Sequence, residues 1–220
     1  KVKKLLPSLN AAFVDIGDEK EAFIHYLDLG INFKSFDFFV KQINISKNYT
    51  TFFEKVAISD PLEKEGHISD HLHPGQPVMV QIVKEPISTK GPRLTTEITF
   101  TGRFLVLTPF NDRISVSQKI KDHAEKTRLR RLIESMKPKN FGVIVRTSAE
   151  NKKAAELNAE LRILLKAWDD AIAKVQQATP PTLVYEEESR AVGEIRDILN
   201  PDFESIQVNN AEVYEQIHDY

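Results

Sequence analysis

The chain has 220 residues, 41% hydrophobic and 28% charged, with a formal net charge of −2 and no cysteine. Such a length suits one large domain or two to three small ones, and the lack of thiols excludes disulfides, thiolate metal sites and thiol catalysis while fitting a cytoplasmic protein. No apolar run approaches the ~18 residues a membrane helix needs, so no membrane partner is expected, and the basic start Lys1-Val2-Lys3-Lys4-Leu5-Leu6-Pro7 lacks the apolar core of a signal peptide.

Period-two alternation predicts a hairpin first. In residues 10–17, Ala12, Val14 and Ile16 share one face, and Ala11, Phe13 and Asp15 the other. Gly17-Asp18-Glu19-Lys20 turns the chain into residues 21–26, where Ala22, Ile24 and Tyr26 face one way and Phe23 and His25 the other. Phe13 and Phe23 thus look out from the polar side of adjacent strands. Residues 31–74, rich in Phe, Asn and Lys, read as an insertion with some helix. Strands resume at 77–85 and 93–100, around a turn-rich loop, Pro86-Ile87-Ser88-Thr89-Lys90-Gly91-Pro92. Short strands joined by one elaborated loop predict a five-stranded barrel of the OB type over residues 1–100 of an α+β chain.

Residues 103–107 then predict a strand, 122–136 a basic helix, 141–145 a short buried strand and 150–177 a long helix. In that last helix Leu157, Leu161, Leu164, Trp168, Ile172 and Val175 form one apolar stripe, and Thr179-Pro180-Pro181 ends it. We read residues 101–179 as a second region. The tail, 180–220, predicts strand (182–185), helix (189–199), strand (205–208) and helix (211–218), a part of an α/β domain.

Charge is segregated along this order. Residues 1–78 carry 9 basic and 11 acidic side chains, residues 79–146 carry 14 and 6, and residues 147–220 carry 7 and 15. A basic middle is the footprint of a polyanion-binding surface, with a solvated helix face as the alternative. Phe13 and Phe23, near Lys84 and Lys90, offer rings for bases, each worth ~1–3 kcal/mol, and cations for the backbone of a single strand. The alternative is that both rings are core. Gly142-Val143-Ile144-Val145-Arg146-Thr147-Ser148-Ala149 runs a strand into a guanidinium, two hydroxyls and a helix start, the donors of a phosphate site. Here the alternative is that Ser148 caps the helix while Arg146 pairs with an acid. His67, His71 and His73 cluster without a further ligand pattern and read as loop histidines, not a metal site. The sequence holds no dinucleotide or Walker glycine motif, no triad and no His-Glu-x-x-His.

Several of these segments resemble, in order, the ribonuclease E/G family. Residues 7–17 (Pro-Ser-Leu-Asn-Ala-Ala-Phe-Val-Asp-Ile-Gly), 80–96 and 102–107 (Gly-Arg-Phe-Leu-Val-Leu) resemble its RNA-binding OB barrel, and residues 142–147 its sensor for the RNA 5′ end. Residues 161–168 and 181–200 follow in the family's order, while 31–74 depart from it. The resemblance, closest to ribonuclease G, implies an endoribonuclease (a hydrolase) that processes single-stranded ribosomal and messenger RNA and prefers a 5′-monophosphate. Arg146 and Thr147 would hold that phosphate, with Val106 lining the pocket, and Phe13, Phe23 and Lys90 would contact RNA. It further implies that residues 180–220 are a partial RNase H-like segment. The family's Mg2+ would be held by aspartates outside this chain, and its zinc link by cysteines this chain lacks. We therefore expect a monomeric fragment of a homo-oligomeric parent, one that binds RNA without cleaving it. A barrel module that binds RNA without reading its end, and a scaffold for an acidic protein, are the alternatives.

Overall fold

A computed structural model describes residues 1–43, 49–58, 61–187, 189–200 and 202–218. The first sheet has the order β1-β2-β3-β5-β4, made of β1 (Val2–Leu6), β2 (Ala11–Val14), β3 (Ala22–His25), β4 (Gln81–Lys84) and β5 (Arg93–Thr95). All its pairings are antiparallel except β3 with β5. The predicted alternation is realised: Ala12, Val14, Ala22, Ile24 and Tyr26 are buried, while Phe13 and Phe23 are half-exposed on the other face. The sheet is open. No β1–β4 pairing closes it among the described residues, although the backbone of Val2 exchanges hydrogen bonds with Gly75 and Gln76 at 2.7 and 2.9 Å. The strand predicted over 93–100 is interrupted. Beyond Arg93–Thr95, the Thr95 hydroxyl and the Thr96 amide donate to the Asp28 carbonyl, and the Thr96 hydroxyl to that of Leu29, so these groups satisfy a turn instead of a ladder.

The second sheet, β6-β7-β9-β8, comprises β6 (Phe100–Thr101), β7 (Leu105–Pro109), β8 (Ile114–Val116) and β9 (Phe141–Val145). Helices α3 (His123–Met136) and α4 (Ala154–Gln177) flank it. Strand β8, too short to announce itself by alternation, runs parallel to β9. Helix α4 starts at Ala154, not 150, because Glu156 reaches back to the Lys153 amide (3.0 Å) and residues 147–149 form a separate 3-10 turn. Its apolar stripe is buried from Leu157 to Ile172 with Val175 partly buried, and Trp168, 1% exposed, sits among Phe39, Phe53, Phe100, Phe110 and Phe141 at ring separations of 5.4 to 6.2 Å.

Residues 31–74 are no appendage. They hold α1 (Phe33–Gln42) and α2 (Tyr49–Lys55), and they serve both hydrophobic cores. Phe33, Leu62, Ile68 and Leu72 pack under the first sheet; Phe36, Phe39, Ile43, Phe53 and Val56 pack with Trp168 under the second. Buried Asn140 adds a polar clasp, its amide donating to the carbonyls of Phe53 and Val56 at 2.8 and 2.9 Å. The tail keeps its helices, α5 (Arg190–Ile198) and α6 (Ala211–His218), but residues 182–185 and 205–208 are not strands. Neither has a strand neighbour among the described residues, and Leu183 is 70% exposed. An apolar run without a partner for its backbone is not a strand. No described helix is long and apolar enough to cross a membrane.

Candidate nucleic-acid interface

On the outer face of the first sheet the register builds one row across five strands. Lys4 pairs with Phe13, Phe13 with Phe23, Phe23 with Arg93, and Arg93 with Lys84. At ~4.8 Å per strand the row is about 19 Å long, with two rings in the middle and cations at both ends. The rings meet edge to face at 6.3 Å, which keeps their outer faces available. Arg93 is held by Asp28 through two bonds of 2.8 and 3.0 Å, whereas Lys4 and Lys84 are exposed. Gly91 allows this parallel approach: a Cβ there would lie 1.9 Å from the Glu21 carbonyl. Lys90 closes a tight loop by mutual backbone bonds with Ile87, and the Lys20 ammonium anchors that loop at the Ser88 carbonyl (2.6 Å). Thus Phe13, Phe23 and Lys84 share one row and Lys90 stands in the loop beside it. Lys4 and Arg93 join them only through the strand register.

Arg146 and Thr147 leave the end of β9. The Arg146 amide donates to the Phe104 carbonyl at 2.8 Å, and its guanidinium reaches the Gly102 carbonyl at 2.7 Å. The same guanidinium takes both carboxylate oxygens of Asp197 in α5, at 2.9 and 2.5 Å. This is the acid pairing that the sequence left open. The Arg146 hydrogen bond holds the Asp197 carboxyl below the usual carboxylate range. Helix α5 is pinned here twice more, by Arg103 on the Leu199 carbonyl (2.5 Å) and Arg196 on that of Thr101 (3.1 Å). The Thr147 hydroxyl is exposed and lies 3.0 Å from that of Ser117, while the Ser148 hydroxyl is spent on the Arg103 carbonyl. Val106, half-buried in β7, pairs with exposed Ile144, so an apolar shelf lies two residues before Arg146.

Behind the guanidinium, Glu160 of α4 receives the Phe104 amide on both oxygens, at 3.0 and 2.9 Å. Burial pushes its carboxyl up, against those donors and the charges of Arg196 and Arg146. Gly102 makes room for it: a Cβ there would sit 2.0 Å from its oxygen. The Phe104 ring lies under Arg103 (5.6 Å) and Lys152 (5.1 Å). Asp197, Glu160, Ser117 and Phe104 are the parts of this site that sequence reasoning missed because none is near Arg146 in the chain, and Lys152 was missed because it belongs to no motif. The arrangement can hold one compact anion with hydroxyl and guanidinium donors if Asp197 yields. His71 is packed, its ring stacked on Tyr26 at 6.0 Å and edge-on to Phe33 at 6.2 Å, and burial lowers its pKa. Among the described residues no three His, Asp or Glu side chains converge where a metal could sit, so these residues do not fit the Mg2+ that the resemblance attaches to the family.

Residues 99–220 match the description "Ribonuclease E/G family". The whole chain is 32% identical to ribonuclease E of a Nostoc species, covering 28% of that protein. It is 30% identical to ribonuclease G of Haemophilus influenzae and 31% to that of Escherichia coli, covering 41% of each. The chain therefore spans well under half the length of the curated relatives it matches.

Proposed function

We propose that this chain, which belongs to the ribonuclease E/G family, is the RNA-gripping portion of an endoribonuclease that processes single-stranded RNA and reads its 5′ end. The observation that carries this reading is the row Lys4–Phe13–Phe23–Arg93–Lys84: bases stack on the two rings while cations hold the backbone on either side. The strand order with β3 and β5 parallel, and the backbone exchange between Val2 and residues 75–76, support an OB-type barrel left partly open. Residues 101–179 form the end-reading region, and residues 180–220 belong to an RNase H-like part. Cleavage and its Mg2+ belong to the larger protein, a homo-oligomer in the cytoplasm; the chain itself, a monomer, binds without cutting.

Arg146, Thr147 and Val106 take the 5′-terminal nucleotide. A guanidinium that receives two carboxylate oxygens presents the same fork to a phosphate. A terminal phosphate thus displaces Asp197 and gains the Thr147 hydroxyl, which a 5′-hydroxyl end cannot do. A triphosphate would bring more negative charge beside Asp197 and Glu160, and is disfavoured. The test is binding of a short single-stranded RNA, 5′-phosphorylated or 5′-hydroxylated, to the chain and to Arg146→Ala and Phe13→Ala. Arg146→Ala should abolish the preference between ends, and Phe13→Ala should weaken both ends alike. Equal binding of both ends by the unmodified chain would leave a barrel module without end sensing.

A further inference from the structure

We propose that the exposed face of α3 is a second RNA contact, a track for the phosphodiester backbone downstream of the 5′ end. The proposal rests on the RNA-binding reading above but not on the row in the first sheet. Helix α3 turns Glu125, Leu129 and Ile133 inward against β8 and α4, which leaves Arg130 and Arg131 exposed and Lys126 half-exposed at the edge of that face. The cations of this helix fall into two groups. Arg128 is consumed by Glu125 (2.6 and 2.7 Å) and the Lys152 carbonyl (3.0 Å), and the Lys137 ammonium lies 3.5 Å from Asp112. Lys126, Arg130 and Arg131 have no acidic partner among the described residues, and Glu134 is the one acid on their side of the helix. Shallow grooves of about 510 and 500 Å³ run along the two sides of the helix, one lined by Ala124, Thr127, Arg128, Arg131 and Leu132, the other by Ile114, Arg130 and Lys137 together with the acids Asp112 and Glu134.

Continuity gives the track its direction. Ser117, 3.0 Å from the Thr147 hydroxyl, also receives the Lys119 amide at 3.3 Å. Exposed Lys119 and Lys121 flank buried Ile120, and the Asp122 cap opens α3 at once. Positive charge thus leads from the candidate phosphate site onto the helix, which extends it by about 21 Å at 1.5 Å per residue. The chemistry favours RNA over an acidic protein. A protein interface centres on buried aromatic or aliphatic anchors, and α3 exposes no large hydrophobic side chain. A row of unpartnered Lys and Arg beside a phosphate site is what a sequence-blind backbone contact requires.

The experiment compares 5′-phosphorylated oligonucleotides of 4 and 12 nucleotides across a KCl series. They are bound to the unmodified chain, to R130Q alone, and to the triple variant K126Q/R130Q/R131Q. The 12-mer should lose about tenfold or more in affinity with the triple variant. Its slope of log affinity against log salt should fall by about 2, from ~0.7 per lost phosphate contact, and R130Q should give about a third of that change. The 4-mer and the ratio between 5′-phosphate and 5′-hydroxyl ends should not move, which also shows that the variants fold. An unchanged slope and affinity for the 12-mer would overturn the track. So would poly-glutamate binding as tightly as RNA with the same variant dependence, which would assign the face to an acidic protein. Equal binding of the two RNA ends by every form refutes the end-reading proposal instead, and leaves the salt slope to judge the track separately.

Discussion

Asp197→Asn tests whether α5 guards the proposed phosphate site or helps to build it. The substitution keeps the shape of the side chain and removes the charge that Arg146 grips. Helix α5 should stay in place, because Arg103 holds the Leu199 carbonyl independently of Asp197, and Arg196, which also touches the Asp197 carboxylate at 3.4 Å, keeps its bond to the Thr101 carbonyl. The Arg146 and Asp197 side chains are 28% and 36% exposed. An ion pair so open to solvent is worth ~0.2–1 kcal/mol. A terminal phosphate that must displace the carboxylate forgoes that amount, so removing the charge should raise affinity for 5′-phosphorylated RNA by about 1.5- to 5-fold.

Fluorescence anisotropy with matched 5′-phosphate and 5′-hydroxyl oligonucleotides reads the effect, and the hydroxyl arm subtracts the general gain from a less negative surface. The pH arm is equally specific. Arg146 holds the Asp197 carboxyl below the usual carboxylate range, so the pair persists down through that range and opens only beneath it. Any strengthening of the phosphate preference between about pH 5.5 and 7 therefore belongs to the second ionisation of the phosphate, near ~6, and should survive in the variant. If D197N weakens binding of the phosphorylated end, Asp197 orients Arg146 for its ligand and the masking argument is wrong. If both ends gain equally, the effect is only long-range charge.

Three further outcomes follow from the packing and the row. Phe13→Ala and Phe23→Ala should each cost ~1–3 kcal/mol of RNA binding and less than about 1.5 kcal/mol of stability, with the double variant sub-additive because the rings touch; anisotropy and urea titration separate the two. Trp168→Ala and Phe39→Ala should each destabilise the fold by ~3–5 kcal/mol, and a Phe39→Ala chain whose Trp168 fluorescence transition is unmoved would show residues 31–74 to be dispensable. Glu160 is an acid whose pKa burial raises, so the folded chain binds its proton more tightly and loses stability as pH rises from the ordinary glutamate value through the raised one. Urea midpoints should show that loss in the unmodified chain and a flatter profile in E160Q; parallel profiles would refute it.

What was legible in the sequence was whatever repeats within one element. The alternation around Phe13 and Phe23 fixed which rings face out, and the stripe from Leu157 to Ile172 fixed how α4 packs. What escaped depends on distant partners. Asp197 is 51 residues from Arg146, and only the docking of α5 reveals that the guanidinium is shared. Strand β8 is three residues long and exists because β9 lies beside it. Residues 182–185 and 205–208 have strand-like composition but no strand to pair with among the described residues, and there composition misled. The spacing of Phe33, Phe36, Phe39 and Ile43 is a helical stripe, where the Phe, Asn and Lys content suggests only an insertion with some helix.

That stripe bears on how the two proposed grips cooperate. Helix α1 buries Phe33 under the first sheet and Phe36 and Phe39 under the second, only a helical turn or two apart. Asn140 clasps the end of α2 to β9, the strand that leads into Arg146. The stacking row and the phosphate site are thus carried on sheets joined by packed side chains, not by a flexible linker. A strand of RNA held at its end is then presented to the row at an effective concentration set by fixed geometry, so two weak contacts act as one firm one. Rigidity of this kind would also give the proposed end-reading site its leverage. Loss of one phosphate contact lowers the occupancy of the row as well, and a local difference of one charge at the 5′ end becomes a difference in how the whole strand is held.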